Sequence, residues 1–211
     1  MRDEPDQVPQ NRPFALVENG AKGLRITAVN AAAARDGITP GTALADARAA
    51  LPGLLSRTAE PQKDRRALRN LARWAGRYGP SRHVEGDDGI WIDVSGVAHL
   101  FGGEEKLLDD LTGRLLTIGA PSQAGLADTL GDANAIARYG CPRDASWAIA
   151  RTGTTADAIA GLPVEALRLD ASAALTLKRL GLKRIGQLYA IPRDSLERRF
   201  RTKVDAAGVL R

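Results

Sequence analysis

A basic stretch near the C-terminal end of the chain has the spacing of a phosphate-binding helical hairpin. Residues 177–188 read LKRLGLKRIGQL, and their apolar residues recur at helical spacing on both sides of Gly181. Glycine permits a turn too tight for a side chain, so we expect a second helix to begin near Ile185. The free backbone N–H groups at its start, beside Lys183 and Arg184, could hold a phosphate oxygen. The alternative to a phosphate site is an ordinary helical hairpin whose basic side chains are solvated.

This pattern predicts a helix-hairpin-helix unit that binds the backbone of a nucleic acid and makes no contact with its bases. The affinity of such a unit should fall steeply with salt, because each phosphate contact releases counterions. The predicted contact residues are the two hairpin glycines and the basic side chains around them: Lys178, Gly181, Lys183, Arg184, Gly186, Arg198 and Arg199.

A second candidate is an acidic pair in the middle of the chain. Asp87 and Asp88 directly precede residues 89–95, GIWIDVS, whose alternating apolar residues predict a half-buried strand. Carboxylates can hold a divalent cation, but acids ahead of a strand are more often a solvated turn. Asp88 is therefore only a weak candidate for a metal ligand. The remaining candidates have no partner at ligand spacing: His83, His99 and Cys141.

Charge is divided sharply along the sequence. The formal net charge is +5, with 30 Lys and Arg against 25 Asp and Glu. Residues 63–77 carry six bases and one acid, residues 85–110 carry eight acids and one base, and residues 178–203 carry nine bases and two acids. An acidic middle beside a basic C-terminal module fits a catalytic core with a nucleic-acid clamp, although solvated helix faces give similar blocks.

The composition indicates an ordinary globular protein. At 211 residues with 44% hydrophobic and 26% charged residues, the chain has room for one core and a small second module. The single cysteine gives no sign of an oxidising compartment, and the N-terminal residues lack the apolar segment of a signal peptide. We therefore expect a cytoplasmic protein.

Periodicity predicts the elements that must position these residues. We expect a strand pair at 14–18 and 24–29, and further strands at 89–95, 121–126 and 146–150. Helices are expected at 30–35, after a Thr42 cap, at 62–78, after Gly103, and at 132–139, with helical structure again from Ala171. Strands interrupted by helices in this way suit an α+β sandwich with helices on one sheet face. A domain boundary is expected at residues 152–163.

The middle of the chain resembles the palm of Y-family translesion DNA polymerases, most closely the ImuB type. The resemblance is carried by residues 89–96, GIWIDVSG, and 98–104, AHLFGGE. Residues 28–48 are similar to the family's fingers, residues 127–139 to its later palm, and the hairpin to its thumb. The resemblance covers Pro13 to Arg211, and the combined motifs are more specific than any one alone.

The resemblance implies a fold and a division of the chain. It predicts an α+β palm with a ferredoxin-like βαβ sheet, helices on one sheet face and the first strand missing, followed by an all-α thumb. Residues 1–12 would be a disordered N-terminus and residues 13–151 the palm and fingers, with the fingers at about 30–80. Residues 152–211 would be a truncated helix-hairpin-helix thumb.

The resemblance also implies nucleotidyl transfer by two metal ions, but the expected ligands are not in place. The Asp-Glu pair of active members falls on Asp88 and Gly89, so the glutamate is lost. The family's first carboxylate lies on an opening strand with no counterpart in residues 1–12. The fingers Tyr and Arg that hold the triphosphate fall on Ala31 and Ala34. We therefore predict no catalytic residue and no cofactor; Mg²⁺ would be required only if the chain were an active polymerase.

These features together predict a non-catalytic ImuB-type protein of error-prone translesion synthesis, DNA repair and SOS mutagenesis in a bacterial nucleoid. It would bind damaged or primer-template DNA and act as an adaptor. The resemblance implies as partners an error-prone C-family polymerase, the sliding clamp and an ImuA-like protein, whose usual binding regions would follow Arg211. Two alternatives are an active Y-family DNA-directed DNA polymerase and a simple helix-hairpin-helix DNA-binding protein.

Overall fold

The computed structural model describes residues 11–21, 23–192, 194 and 195, and these residues fall into two units. Unit 1 runs up to Leu71 and also takes in Gly86–Asp88, and unit 2 contains Ala72–Glu85 and the chain from Gly89 onward. The first division falls within a long helix, α3 (Pro61–Trp74). Within the described ranges, no helix has the length and apolar character needed to cross a bilayer.

Unit 1 is built on a three-stranded sheet in the order β2-β1-β3. Strands β1 (Phe14–Gly20) and β2 (Gly23–Val29) form an antiparallel hairpin, and β3 (Leu55–Thr58) pairs with β1 in parallel. Two short helices, α1 (Ala31–Arg35) and α2 (Leu44–Ala50), connect β2 to β3. The inward side chains of the sheet and these helices form one apolar core: Ala15, Val17, Ile26, Ala33, Ile38, Leu44, Ala47 and Leu54.

Unit 2 begins with the end of α3 and a strand hairpin. The 3-10 turn Ala75–Arg77 leads into β4 (Arg82–Glu85), which pairs antiparallel with β5 (Gly89–Ile92). A second 3-10 turn, Ala98–Phe101, precedes α4 (Glu104–Thr117). The inner face of α4 is apolar and buried, as its leucine spacing predicts: Leu107, Leu108, Leu111 and Leu115.

The rest of unit 2 contains a second small sheet and the helical C-terminal part. Strands β6 (Ala124–Leu126) and β7 (Trp147–Ile149) pair in parallel, and between them α5 (Leu130–Ala135) continues as a π-helical turn, Ile136–Gly140. Helices α6 (Thr155–Ala160) and α7 (Ala171–Arg179) follow, separated by the 3-10 turn Val164–Leu167, and a further 3-10 turn spans Ile185–Leu188. One core joins β7, α6 and the last turn through Ala150, Ile159 and Ile185.

The predicted α+β class is confirmed, with local differences. The strands form three small sheets, of which β4-β5 and β6-β7 have only two strands each. The predicted Thr42 cap is wrong: α2 begins after Ala43 without a side-chain cap, and the Thr42 hydroxyl instead lies 3.3 Å from the Thr39 hydroxyl. Strands β3 and β4 were not expected from the sequence. The predicted boundary at residues 152–163 lies within unit 2.

Candidate nucleic-acid interface

Asp88 and Gly89 lie where the β4–β5 turn meets β5. Asp88 is exposed in the turn, and Gly89 is the first residue of the strand, opposite Glu85 in the β4–β5 pairing. A Cβ built on Gly89 would lie 3.0 Å from the Glu85 carbonyl oxygen. A side chain at this position, where the resemblance expects a metal-binding glutamate, would require the Glu85 carbonyl to shift by a few tenths of an ångström.

The Glu85 carboxylate is held by two other residues of unit 2. The indole Nε1 of Trp91 donates to Glu85 Oε2 at 3.0 Å, and the Arg168 guanidinium donates to Glu85 Oε1. Arg168 follows the 3-10 turn Val164–Leu167 and has a φ of 58°, the left-handed region that non-glycine residues rarely adopt. The Glu85 carboxylate is therefore part of an ion pair that connects β4 to the residue after the 3-10 turn Val164–Leu167.

The other acids of this region also have local roles. Asp87 Oδ1 lies 3.3 Å from Nε of Arg65, and both side chains are largely exposed. Asp93 accepts from the Ser95 backbone N–H at 2.9 Å, and hydrogen bonds from Ser95 lower the pKa of this carboxyl. Among the described residues, no three His, Cys, Asp or Glu side chains converge as a metal site would require. The side chains in the described part of the chain do not fit the two metal ions that the family resemblance implies.

A cationic side chain that the sequence prediction did not single out approaches Gly89. Nη2 of Arg138 lies 3.7 Å from the position that a Gly89 Cβ would occupy. Arg138 belongs to the π-helical turn Ile136–Gly140, 49 positions further along the chain. Two arginines, Arg138 and Arg168, thus come from different turns to the same end of the β4–β5 hairpin.

The turn predicted at Gly181 is present. Gly181 has a φ of 81° and lies at the start of the loop that follows α7, with open space where a side chain would be. Gly186 has a packing role, because a Cβ at this position would lie 3.1 Å from both the Cβ and the carbonyl oxygen of Ala160. The two glycines therefore shape the hairpin, one through its dihedral angle and the other through a close approach to α6.

The prediction of free backbone N–H groups in this hairpin is wrong. The side-chain oxygen Oε1 of Gln187 accepts from the N–H groups of Lys183 at 2.8 Å and of Arg184 at 2.9 Å. The N–H of Ile185 donates to the Leu162 carbonyl at 3.0 Å. A glutamine three positions beyond the cap is a common way to satisfy such donors. Three donors expected to hold a phosphate are therefore already bonded within the protein.

The start of α7 is capped in a similar way. Oδ1 of Asp170 accepts from the N–H groups of Ser172 at 2.8 Å and of Ala173 at 2.9 Å. This carboxylate places a negative charge at the positive end of the helix, where a phosphate would otherwise be favoured. Binding to a nucleic-acid backbone in this part of the chain would therefore depend on cationic side chains rather than on backbone donors.

The predicted cations of this region differ in their surroundings. The Lys178 ammonium forms an ion pair with Glu165 and lowers the pKa of the Glu165 carboxyl. Nη1 of Arg184 donates to the Gly161 carbonyl at 2.6 Å, so this guanidinium closes the hairpin onto the end of α6. The Lys183 side chain is exposed and no described residue hydrogen-bonds to it. Arg198 and Arg199 lie outside the described residues.

Arg179, which the sequence prediction left out, is exposed at the end of α7, and no side chain among the described residues pairs with it. Its place in the last helical turn, beside Lys178 and before Gly181, was a usable signal. The structure thus brings Arg179 and Lys183 to the two sides of one hairpin loop.

Residues 1–138 match the impB/mucB/samB family. The chain is 46% identical over 164 residues to Protein ImuB of Caulobacter vibrioides, in strain NA1000 / CB15N and in strain ATCC 19089 alike. The matched segment is 78% of this chain and 35% of each relative. The chain thus spans about a third of the length of the curated relatives that it matches.

Solved structures share the fold at low sequence identity. The insertion ternary complex of Dbh DNA polymerase matches with a TM-score of 0.75 and 14% identity, covering 88% of this chain and 55% of that one. DinB from Sulfolobus solfataricus matches with a TM-score of 0.69 and 15% identity, covering 92% of this chain and 57% of that one. The fold is therefore that of the Y-family polymerase palm and fingers. By its match over residues 1–138 and its identity to the two relatives, the chain belongs to the impB/mucB/samB family.

Proposed function

We propose that this chain acts as a non-catalytic ImuB-type protein in error-prone DNA damage tolerance. The observation that carries the proposal is the set of residues at the turn end of the β4–β5 hairpin. Glycine occupies position 89, where the resemblance expects a glutamate, and the neighbouring Glu85 carboxylate is ion-paired with Arg168. A two-metal mechanism needs several converging carboxylate oxygens, which these residues do not supply.

The proposed biological role is that of an adaptor at damaged or primer-template DNA in the bacterial nucleoid. Its partners would be an error-prone C-family polymerase, the sliding clamp and an ImuA-like protein. Support comes from the identity to Protein ImuB and from the fold that the chain shares with Dbh DNA polymerase. Affinity capture of these partners by the chain and by a full-length relative tests the role, since a simple helix-hairpin-helix protein would capture none of them.

Primer extension tests the proposed lack of catalysis. With an undamaged or an abasic template and either Mg²⁺ or Mn²⁺, we expect no templated incorporation above the protein-free background. The Asp88→Ala variant should behave identically, because Asp88 has no metal-binding glutamate beside it. A denaturing gel provides the measurement, with an active Y-family polymerase on the same primer as the positive control. Incorporation that depends on Asp88 would establish the active-polymerase alternative.

We propose that the chain contacts the DNA backbone partly through the loop between α7 and the last 3-10 turn. Arg179 and Lys183 supply exposed charge there, whereas Lys178 and Arg184 already have protein partners. Arg198 and Arg199 remain proposed contacts on the basis of the sequence. Gly181 and Gly186 would contribute by shaping the loop. The contact would be sequence-independent, because backbone contacts carry no base information.

Reversing both exposed charges, in Arg179→Glu with Lys183→Glu, should weaken binding to duplex DNA. Each lost phosphate contact should also lower the slope of log affinity against log salt by about 1. Fluorescence anisotropy over a salt series measures both quantities. The matched control is Arg35→Glu with Arg143→Glu, which reverses two exposed bases outside the hairpin and should change affinity less. Unchanged affinity at low salt in the hairpin variant would exclude this loop as a DNA contact.

A further inference from the structure

Helix α3 carries a stripe of positive charge on its exposed side. Arg65, Arg66 and Arg69 are all exposed, and the helical period places them on one side of α3. The other side of the helix is apolar and partly buried through Leu68 and Leu71. The packing of α3 therefore determines that these three arginines, the α3 stripe, face the solvent.

The protein itself neutralises little of this charge. No described residue hydrogen-bonds to Arg66 or Arg69 or forms an ion pair with them, whereas Arg65 contacts the exposed Asp87 through Nε at 3.3 Å. Asp64 is the acid in the first turn of α3, two positions from Arg66 and five from Arg69. Those spacings place its carboxylate on another side of the helix. Arg66 and Arg69 are therefore the two free charges of the stripe.

The spacing within the α3 stripe is unfavourable for an isolated helix. Arg69 lies three positions after Arg66 and four after Arg65. Like charges at these spacings are neighbours on the helix surface and repel each other. A helix face that has only to remain solvated alternates its charges instead. The stripe therefore favours an external anion, because binding an anion would offset the repulsion.

The side chains around the arginines favour a nucleic-acid backbone over an acidic protein as that anion. Protein interfaces usually have large apolar or aromatic residues at their centre. Within α3, all of which the structure describes, no large hydrophobic side chain is exposed. The polar residues Gln62 and Asn70 flank the arginines instead. A guanidinium binds phosphate oxygens through paired hydrogen bonds, and a phosphate contact carries no base information.

We infer that the α3 stripe binds the phosphate backbone of duplex DNA, in addition to the contact proposed for the loop between α7 and the last 3-10 turn. The inference rests on the proposed DNA-binding function and adds a contact in unit 1 to the one in unit 2. Arg66 and Arg69 are the main contacts, because the described residues leave both unpaired. Arg65 contributes less, because it shares its charge with Asp87.

Removing the two free charges, in Arg66→Gln with Arg69→Gln, should weaken binding of the full chain to duplex DNA about tenfold at low salt. The slope of log affinity against log salt should fall by about 2, one for each lost phosphate contact. Fluorescence anisotropy over a salt series measures both quantities. Arg35→Gln with Arg143→Gln removes the same net charge from exposed positions outside α3 and the loop, and it should leave the slope unchanged.

Thermal unfolding without DNA tests the repulsion within the stripe. Glutamine favours a helix almost as well as arginine does, and the substitutions remove two like-charge contacts. The Tm of the Arg66→Gln with Arg69→Gln variant at low salt should therefore equal or exceed that of the parent, and any gain should shrink as salt screens the charges. A lower Tm in the variant would contradict the repulsion and overturn the inference.

Two comparisons separate this inference from the proposed function. If the α3 variant keeps its affinity and slope while Arg179→Glu with Lys183→Glu loses affinity, the α3 contact is overturned and the proposed function stands. If neither variant loses affinity, both are overturned. Polyglutamate replaces DNA in the second comparison. A loss of polyglutamate binding in the α3 variant without a loss of DNA binding would assign the stripe to an acidic protein and overturn the inference.

Discussion

Replacing Tyr78 by alanine is expected to lower the free energy of unfolding by about 3–5 kcal/mol, the range typical of a buried aromatic side chain. Tyr78 is fully buried, and its ring stacks on Phe101 with centroids 5.3 Å apart and contacts Trp74 at 5.8 Å. The Tyr78 hydroxyl donates to Oδ2 of Asp110 at 2.7 Å. The substitution therefore removes both the ring packing and the polar contact to α4. Urea unfolding followed by circular dichroism measures the loss.

The Tyr78→Phe variant separates these two contributions. It keeps the ring and loses only the hydrogen bond to a charged acceptor, for which we expect a loss of about 1.5–3 kcal/mol near neutral pH. The Tyr78 hydroxyl, and after it Arg114, lowers the pKa of the Asp110 carboxyl. A lowered folded-state pKa stabilises the protein above the unfolded-state pKa, and this contribution disappears as the pH falls through the folded-state pKa. The difference between the parent and Tyr78→Phe should therefore shrink in acid.

Two further variants make this result specific to the Tyr78–Asp110 pair. Asp110→Asn combined with Tyr78→Phe should lose less stability than the sum of the two single changes, since both remove the same interaction. Leu100→Ala is the control, because the Leu100 side chain is 70% exposed and its loss should change the free energy of unfolding little. A loss for Tyr78→Phe that stays constant from neutral to acidic pH would show that the hydroxyl does not act through Asp110.

Replacing Gly125 by alanine should be the second most damaging change, at about 1–3 kcal/mol or more. The new Cβ would lie 2.2 Å from the Ala133 carbonyl oxygen and 2.5 Å from the Ala137 nitrogen. Both obstacles are backbone atoms, one in α5 and one in the π-helical turn, so relief requires both elements to move away from β6. We expect a lower midpoint in urea and faster exchange of the amide hydrogens that pair β6 with β7.

Gly113→Ala provides the matched control for this substitution. Gly113 lies within α4, and nothing approaches within 4 Å of its Cβ position. Alanine favours helices more than glycine does, so the control should gain up to about 1 kcal/mol. Replacing glycine by alanine is thus expected to lower the free energy of unfolding at position 125 and to raise it at position 113. Equal effects of the two substitutions would show that β6 and the π-helical turn are not in close contact.

The sequence correctly predicts the elements whose apolar residues recur at a regular spacing within one short segment. The leucines of α4 and the strand pair around residues 14–29 appear as expected, because one face of each is buried. The sequences of β3 and β4, LSRT and RHVE, contain one apolar residue each, so no apolar alternation marks them as strands. β3 is also defined by a parallel pairing with a distant strand, and no local pattern carries such a pairing.

The candidate interface shows the same division between local and distant effects. The turn at Gly181 follows from the conformational freedom of glycine and is present. The caps made by Asp170 and Gln187 are local as well, and their residue types and spacing are recognisable signals of helix starts. The approach of Arg138 to Gly89 depends on backbone packing at Gly125 between distant segments. Such a contact requires the three-dimensional structure.

The core shared by β7, α6 and the last 3-10 turn bears on how the chain can be divided. Ala150 lies before the predicted palm–thumb boundary, Ile159 and Ile185 lie after it, and all three pack in one cluster. A fragment that starts at residue 152 would carry half of an apolar interface into water, and the remaining piece would expose the other half. Recombinant fragments cut there would be prone to aggregate, so a loss of DNA binding in such a fragment would report misfolding rather than the location of the contact.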